Sequence, residues 1–173
     1  LVKSAVNTGF ARGNNIGIGH AKGEVMLLLN SDTILTEDAV SNAAIAFKAD
    51  SRIGILGCRM TYPDGEIQYS ARRFRSISWE FLDLFKIIPW VMPYKKRASL
   101  MLGKYFRHDE DMECDWVNGA FFMFNLKLLN DLPQHKLDER FFMYGEDQLW
   151  CLQAKEAGCK ILFYAGTSIV HIH

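Results

Sequence analysis

Val25-Met26-Leu27-Leu28-Leu29-Asn30-Ser31-Asp32 decides the fold. Five apolar residues in unbroken succession fit a strand buried on both faces, as in a sheet with helices on each side. Three polar residues then place Asp32 just beyond the strand's carboxyl end, the edge where open α/β sheets bind ligands. Upstream, the stretch from Asn7 to Gly23 is rich in glycine and asparagine. It reads as a turn at Asn7-Thr8-Gly9, a short helix from about Ala11 and a C-cap at Gly23. Downstream, Thr36 is expected to cap a helix reaching about Ala49, with Glu37 and Asp38 in a first turn favoured by the helix dipole.

The pattern then repeats. Ile53 to Cys58 reads as a strand, and Tyr62-Pro63-Asp64-Gly65 as a turn. Gly119 to Phe124 is a further buried strand, followed by a short helix from Leu126 to Leu132. Gly145-Glu146-Asp147 opens a helix with Leu149, Leu152 and Ala157 among its apolar positions, and Gly158 stops it. Ile161 to Ala165 and Ile169 to Ile172 read as two short strands. The alternation predicts a three-layer α/β sandwich around a mixed, mainly parallel sheet.

Composition narrows the function classes. The chain has 173 residues and a formal net charge of +0, so nothing global points to nucleic acid. No apolar run approaches the roughly 20 residues of a membrane-spanning helix. Cys58, Cys114, Cys151 and Cys159 form no metal-ligand spacing and read as reduced thiols, which suits the cytoplasm. Leu1 falls in what reads as mid-domain sequence, so a piece of a longer protein is expected.

Four groups of residues carry candidate chemistry. Asp32 either holds a hard divalent cation against a substrate diphosphate or closes a polar turn. Glu146 and Asp147 are adjacent carboxylates at a helix start. One can face a pocket as a general base, or both can serve as N-terminal charge. His171 ends an apolar strand and is either structural or a metal ligand beside Asp32; mixed imidazole and carboxylate ligation favours Mn²⁺ over Ca²⁺. The Asn7 to Gly19 stretch can bring backbone close to a phosphate or nucleoside, or simply feed a helix, and it carries no Walker pattern.

Residues 76 to 112 form a distinct block. Phe81, Leu82, Leu84, Phe85 and Ile88 recur at helical spacing until Pro89, and Trp90 and the basic Lys95-Lys96-Arg97 follow. An apolar face beside positive charge suits an anionic membrane interface, such as the inner face of the cytoplasmic membrane. The other reading is that the apolar face packs on the sheet and the basic residues are only solvated, as in most amphipathic helices of globular domains.

Taken in order, these segments resemble family-2 glycosyltransferases of the GT-A fold. The string Asn7-x-Gly9-Phe10-Ala11-x-Gly13-Asn14-Asn15-x-Gly17 resembles the family's segment before the metal-motif strand. Leu28-Leu29-Asn30-Ser31-Asp32 resembles its variant of the D-x-D motif, and Trp116-Val117-Asn118-Gly119-Ala120 its acceptor-side segment. Leu137-Asp138-Glu139-Arg140-Phe141-Phe142, continued through Asp147, resembles its most recognisable block. Ile169-Val170-His171 resembles its closing metal-ligand strand.

The resemblance implies an inverting transfer from a nucleotide sugar, such as dTDP-rhamnose, to a glycan or lipid-linked acceptor. Asn7, Gly9, Asn14, Asn30 and Asp32 would bind the donor. Asp32 and His171 would hold Mg²⁺ or Mn²⁺, and Asp147, with Glu146 in reserve, would be the general base. It also implies that residues 1 to 173 are a partial catalytic domain lacking the family's N-terminal nucleotide-binding strand, with 76 to 112 as an acceptor-side insertion. Asn30 departs from a strict D-x-D, and Leu149 and Gln153 stand where many relatives carry an acid and an arginine. The rival readings are a sugar-phosphate nucleotidyltransferase and a non-catalytic glycan-binding domain.

Overall fold

The structure, a computed structural model, describes residues 1–85 and 91–172, without the side chain of Leu82. Ile88 and Trp90 of the expected 76 to 112 block therefore lie outside the described residues. Helix α1 (Phe10–Ile18) leads into β1 (Val25–Leu29) and the short β2 (Thr33–Ile34), followed by α2 (Ala39–Ala49), β3 (Ile53–Thr61) and two short strands, β4 (Ile67–Gln68) and β5 (Ala71–Arg72). Helices α3 (Ile77–Phe85) and α4 (Tyr94–Met101) come next, then β6 (Met112–Glu113), β7 (Trp116–Val117) and β8 (Phe121–Asn125). Helix α5 (Glu146–Glu156) and the long β9 (Lys160–His171) complete the order.

The main sheet runs β1-β8-β3-β9-β2, with β4 on β3 and β6 on β9, while β5 and β7 form a separate ribbon. Both faces are covered, as the unbroken apolar strands predict. Phe122 and Phe124 of β8 pack with Ala11, Trp150 and Ala154 of α1 and α5. Phe121 and Met123, pointing the other way, pack with Ala39, Ala43 and Phe47 of α2. All four β8 side chains are buried to within 1%, and each buried Phe stabilises by about 1.5–3 kcal/mol. The three-layer sandwich is present.

The sheet is mixed, but not mainly parallel. Strands β1, β3 and β9 point the same way, yet β8 inserts in reverse between β1 and β3. Only β3 and β9 are parallel neighbours among the described strands. A strand buried on both faces reads as an apolar run whichever way it points, so the run in β8 carried no signal of direction.

Several boundaries shift for identifiable reasons. Helix α1 closes at Gly19 rather than Gly23, because Gly19 and His20 already donate to Asn15 and Gly17. Asp38, not Thr36, caps α2 by accepting from Ser41. Glu37 is drawn away to accept from Thr167 and Ser168. Those two residues lie in or beside a bulge where the β9 register against β3 jumps between Tyr164 and Ser168. Pairing resumes beyond it, so the two expected C-terminal strands are one. The expected helix at Leu126 is a 3-10 turn ending at Asn130. In α5 the buried face is Glu146, Trp150, Cys151, Gln153 and Ala154, whereas Leu152 is exposed.

The turn at Tyr62 to Gly65 forms as expected, with Gly65 at φ 89°. Gly57 of β3 has a different task. A Cβ there would sit 2.6 Å from that of Val117, so its bare backbone lets β7 lie directly on the sheet.

Candidate active site

Two strand ends build the first half of the site. β2 pairs with β9 so that Thr33 lies opposite His171, and Ile172 N–H donates to Asp32 O at 3.0 Å. This brings Asp32 Oδ1 to 3.4 Å from His171 Nε2. Asn30 Nδ2 lies 3.5 Å from the same ring nitrogen, and Asn30 N–H is held by Ala120 O. Asp32 is 40% exposed while His171 is 9% exposed, so the pair opens to solvent on the carboxylate side.

The tautomer of His171 follows from its other neighbour. Gln68 of β4, itself buried, donates from Nε2 to His171 O at 2.7 Å. A carbonyl only accepts, so this bond fixes which way the amide points. Gln68 Oε1 therefore faces His171 Nδ1, at 2.9 Å, and Nδ1 carries the proton. His171 turns Nε2 toward Asp32, the arrangement of a metal-ligating imidazole with an outer hydrogen-bond partner.

This donor set fits a divalent cation. A 3.4 Å gap between a carboxylate oxygen and an imidazole nitrogen is what two ligands sharing one ion, at bonds of about 2.0–2.2 Å, require. No group of three or more His, Cys, Asp or Glu is poised for a metal among the described residues. A cation here would draw its further ligands from substrate oxygens and water, because Asn30 turns its amide nitrogen, a donor, toward the pair.

Helix α5 builds the other half. Gly145 takes a left-handed φ of 92°, as does Tyr144 at 69°, and this sharp entry aims the helix start at the cleft. Asp147 accepts through Oδ2 from Gly119 N–H at 3.1 Å and through Oδ1 from Gln148 N–H at 2.8 Å. Burial pushes its carboxyl above the ordinary aspartate range, against those hydrogen bonds. Glu146 is 7% exposed, its carboxyl is also raised chiefly by burial, and its Oε2 has no hydrogen-bond partner among the described residues.

A cleft of about 480 Å³ joins the two halves, lined by Asn30, Asp32, Gly119, Glu146, Asp147 and His171, among others. Five of the expected site residues thus share one cavity. Asn7, Gly9 and Asn14 do not line it. Asn7 Oδ1 accepts from Gly9 N–H and Asn14 Nδ2 donates to Phe10 O, both local bonds. Gly9, at φ 78°, lies so close to Phe142 that a Cβ would meet its carbonyl oxygen at 2.5 Å. Asn15 bonds both backbone groups of Leu137. The asparagine-rich segment anchors the 137–145 loop that walls the cleft.

Sequence reasoning missed Gln68 and Arg72. Gln68 sits in a two-residue strand with no motif around it. Arg72 had a faint signal, the run Arg72-Arg73-x-Arg75, but no partner was visible until β5 paired with β7.

The family model for glycosyl transferase family 2 matches residues 1–136. The chain belongs to that family. The crystal structure of GalNAc-T7 with UDP, GalNAc and Mn²⁺ superposes with a TM-score of 0.67 at 17% identity, covering 99% of this chain and 31% of that one. A197 from STIV superposes with a TM-score of 0.54 at 12% identity, covering 92% of this chain and 63% of that one. The family-2 domain therefore has the GT-A fold and spans less than two thirds of either chain. No curated protein matches the sequence significantly.

Proposed function

We propose that the full protein transfers a sugar from a nucleotide-sugar donor to a glycan or lipid-linked acceptor, with inversion at the anomeric carbon. The supporting observation is the convergence of Asp32, His171 and Asp147 on one cleft. Asp32 and His171, with Asn30 beside them, would hold Mg²⁺ or Mn²⁺. Bound there, the ion would stabilise the charge developing on the departing nucleoside diphosphate. The acceptor hydroxyl attacks the anomeric carbon as the bond from that carbon to the diphosphate oxygen breaks. Asp147 Oδ takes the hydroxyl proton, and Gly119 and Gln148 hold its carboxylate in position. The Mn²⁺ in the GalNAc-T7 structure supports the metal reading.

dTDP-rhamnose is the donor proposed from the sequence resemblance. UDP-GalNAc joins it in a test panel because GalNAc-T7 is bound to UDP and GalNAc. Incubating the full-length protein with such donors and Mn²⁺ should release nucleoside diphosphate, and NMR of the product should show inversion. Release of pyrophosphate from a nucleoside triphosphate and a sugar phosphate would instead favour the nucleotidyltransferase reading. Turnover of nothing would favour a binding domain.

Residues 76 to 112 would form the acceptor side. Ile77, Phe81, Leu84 and Phe85 of α3 are exposed, Leu84 at 75%, as are Lys95 and Lys96 of α4. Packing on the sheet does not cover this apolar face. No helix among the described residues is long and apolar enough to cross a membrane. Peripheral contact with an anionic membrane at the cytoplasmic face is the proposal these residues support. In a flotation assay, the protein should rise with anionic vesicles and release as salt screens the basic residues. Binding that is absent, or unchanged after Lys95, Lys96 and Arg97 are replaced by Ser, would remove the membrane from the reading.

A further inference from the structure

A second cavity, of about 630 Å³, adjoins the cleft and shares Trp116 and Gln148 with it. Among the described residues its walls include Arg72, Arg73, Arg75 and Lys104 and no carboxylate. Three of these cations are already paired with carboxylates. Arg73 meets Asp115 at 3.3 Å, Arg75 meets Glu80 at 3.2 Å, and Lys104 meets Asp83 at 2.7 Å. Arg72 has no carboxylate in ion-pair reach among the described residues, although its Nε donates to Tyr69 O at 2.8 Å.

Arg72 is nonetheless held in place. It lies opposite Trp116 in the β5–β7 ribbon, which sets its guanidinium 5.3 Å from the centre of the indole. Asp115 N–H donates to Arg72 O, and the neighbouring Ala71 N–H donates to the buried His108. The charge of Arg72 also reaches Asp147, partly opposing the upward push of burial on that carboxyl. A positioned, solvent-exposed cation thus lines the second cavity beside Trp116, which both cavities share.

We propose that this second cavity binds the acceptor, and that the acceptor sugar carries an anionic oxyacid group, carboxylate or phosphate, bound by Arg72. The inference rests on the glycosyltransferase reading given above. The planar guanidinium fork matches both oxyacids, and Trp79 and Tyr69 offer amphipathic faces for a sugar ring. A cavity built for a neutral sugar needs acceptors as well as donors for its hydroxyls. Here the Gln148 amide and the Tyr69 hydroxyl are the uncharged side-chain acceptors, and every charged side chain on the described lining is a donor.

Calorimetry on the full-length protein can test this. UDP or dTDP with Mn²⁺ is titrated first, to fill the donor site and to report on that site independently. Methyl glucuronide, glucose 1-phosphate and methyl glucoside are then compared as acceptor probes. At least one charged probe should bind about tenfold or more tighter than the neutral one, and added salt should shrink the gap. Arg72→Gln should erase that preference and Arg72→Lys should keep part of it, with nucleotide binding reporting that each variant is folded. A preference for glucuronide alone supports a uronosyl acceptor, and one for the phosphate alone supports a phosphate-linked acceptor. Equal binding of all three probes, or a preference that survives Arg72→Gln, overturns the proposal. Absence of nucleotide binding with the charged preference intact sinks the glycosyltransferase reading and not the anion site.

Discussion

Replacing Asp147 by Asn is expected to lower kcat by about 10²–10⁴-fold, the usual contribution of a general base, while donor binding persists. The amide preserves the shape and the hydrogen bond from Gly119, but it cannot take a proton. Because burial raises the Asp147 carboxyl, the wild-type rate should fall as pH drops through a pKa above the ordinary aspartate range. That acidic limb should vanish from the residual activity of the variant. Glu146 is the control. Its Oε2 meets no hydrogen-bond partner among the described residues, whereas two backbone N–H groups hold Asp147, so Glu146 is the less firmly positioned candidate. If Glu146→Gln is the dead variant and Asp147→Asn turns over normally, the two roles are exchanged. If both remain active, the proposed site is wrong.

Removal of the divalent ion is expected to abolish transfer, with activity restored by Mn²⁺ or Mg²⁺. Asp32→Ala and His171→Ala should each weaken Mn²⁺ binding, followed by the loss of the free-ion signal in electron paramagnetic resonance. Gln68→Leu gives a sharper reading because Gln68 does not line the cleft. Freed from the Gln68 amide, His171 loses both the partner of its Nδ1 proton and the tether on its carbonyl. Mn²⁺ affinity should then drop by about 10–100-fold. Nitrogen NMR of the metal-free protein should show that Nδ1 protonation of His171 is no longer enforced. Activity indifferent to a chelator would end the metal model.

Much of this was legible in the sequence because it is local. The apolar run of β1 and the polar stop after it placed Asp32, and the glycine before Glu146 and Asp147 placed the start of α5. What could not be read depends on distant pairing. β4, β5, β6 and β7 have two residues each, too few to show any period. Gln68 and Arg72 gain meaning only from His171 and Trp116, on other strands. Asn7 and Asn14 had a glycine-rich setting that suits a donor phosphate as well as a loop feeding a helix; their side chains make local bonds and lie outside the cleft lining. In α5 the buried stripe runs through Glu146, Trp150 and Gln153, so hydrophobicity alone pointed to the wrong face.

The order of strands in the sheet has a consequence for how the molecule comes into being. β1 pairs with β8, and β2 and most of β3 pair with β9. As the ribosome extends the chain from its N-terminal side, β1 and β2 therefore emerge long before their neighbours exist. Contacts so distant along the chain close slowly, and they leave apolar edges open to other chains meanwhile. Because β9 carries His171, the same late pairing that completes the sheet also brings the imidazole to Asp32. Nascent chains stalled before β9 would hold neither the completed sheet nor the Asp32–His171 pair, so on the proposed metal reading folding itself gates the capacity to bind the ion.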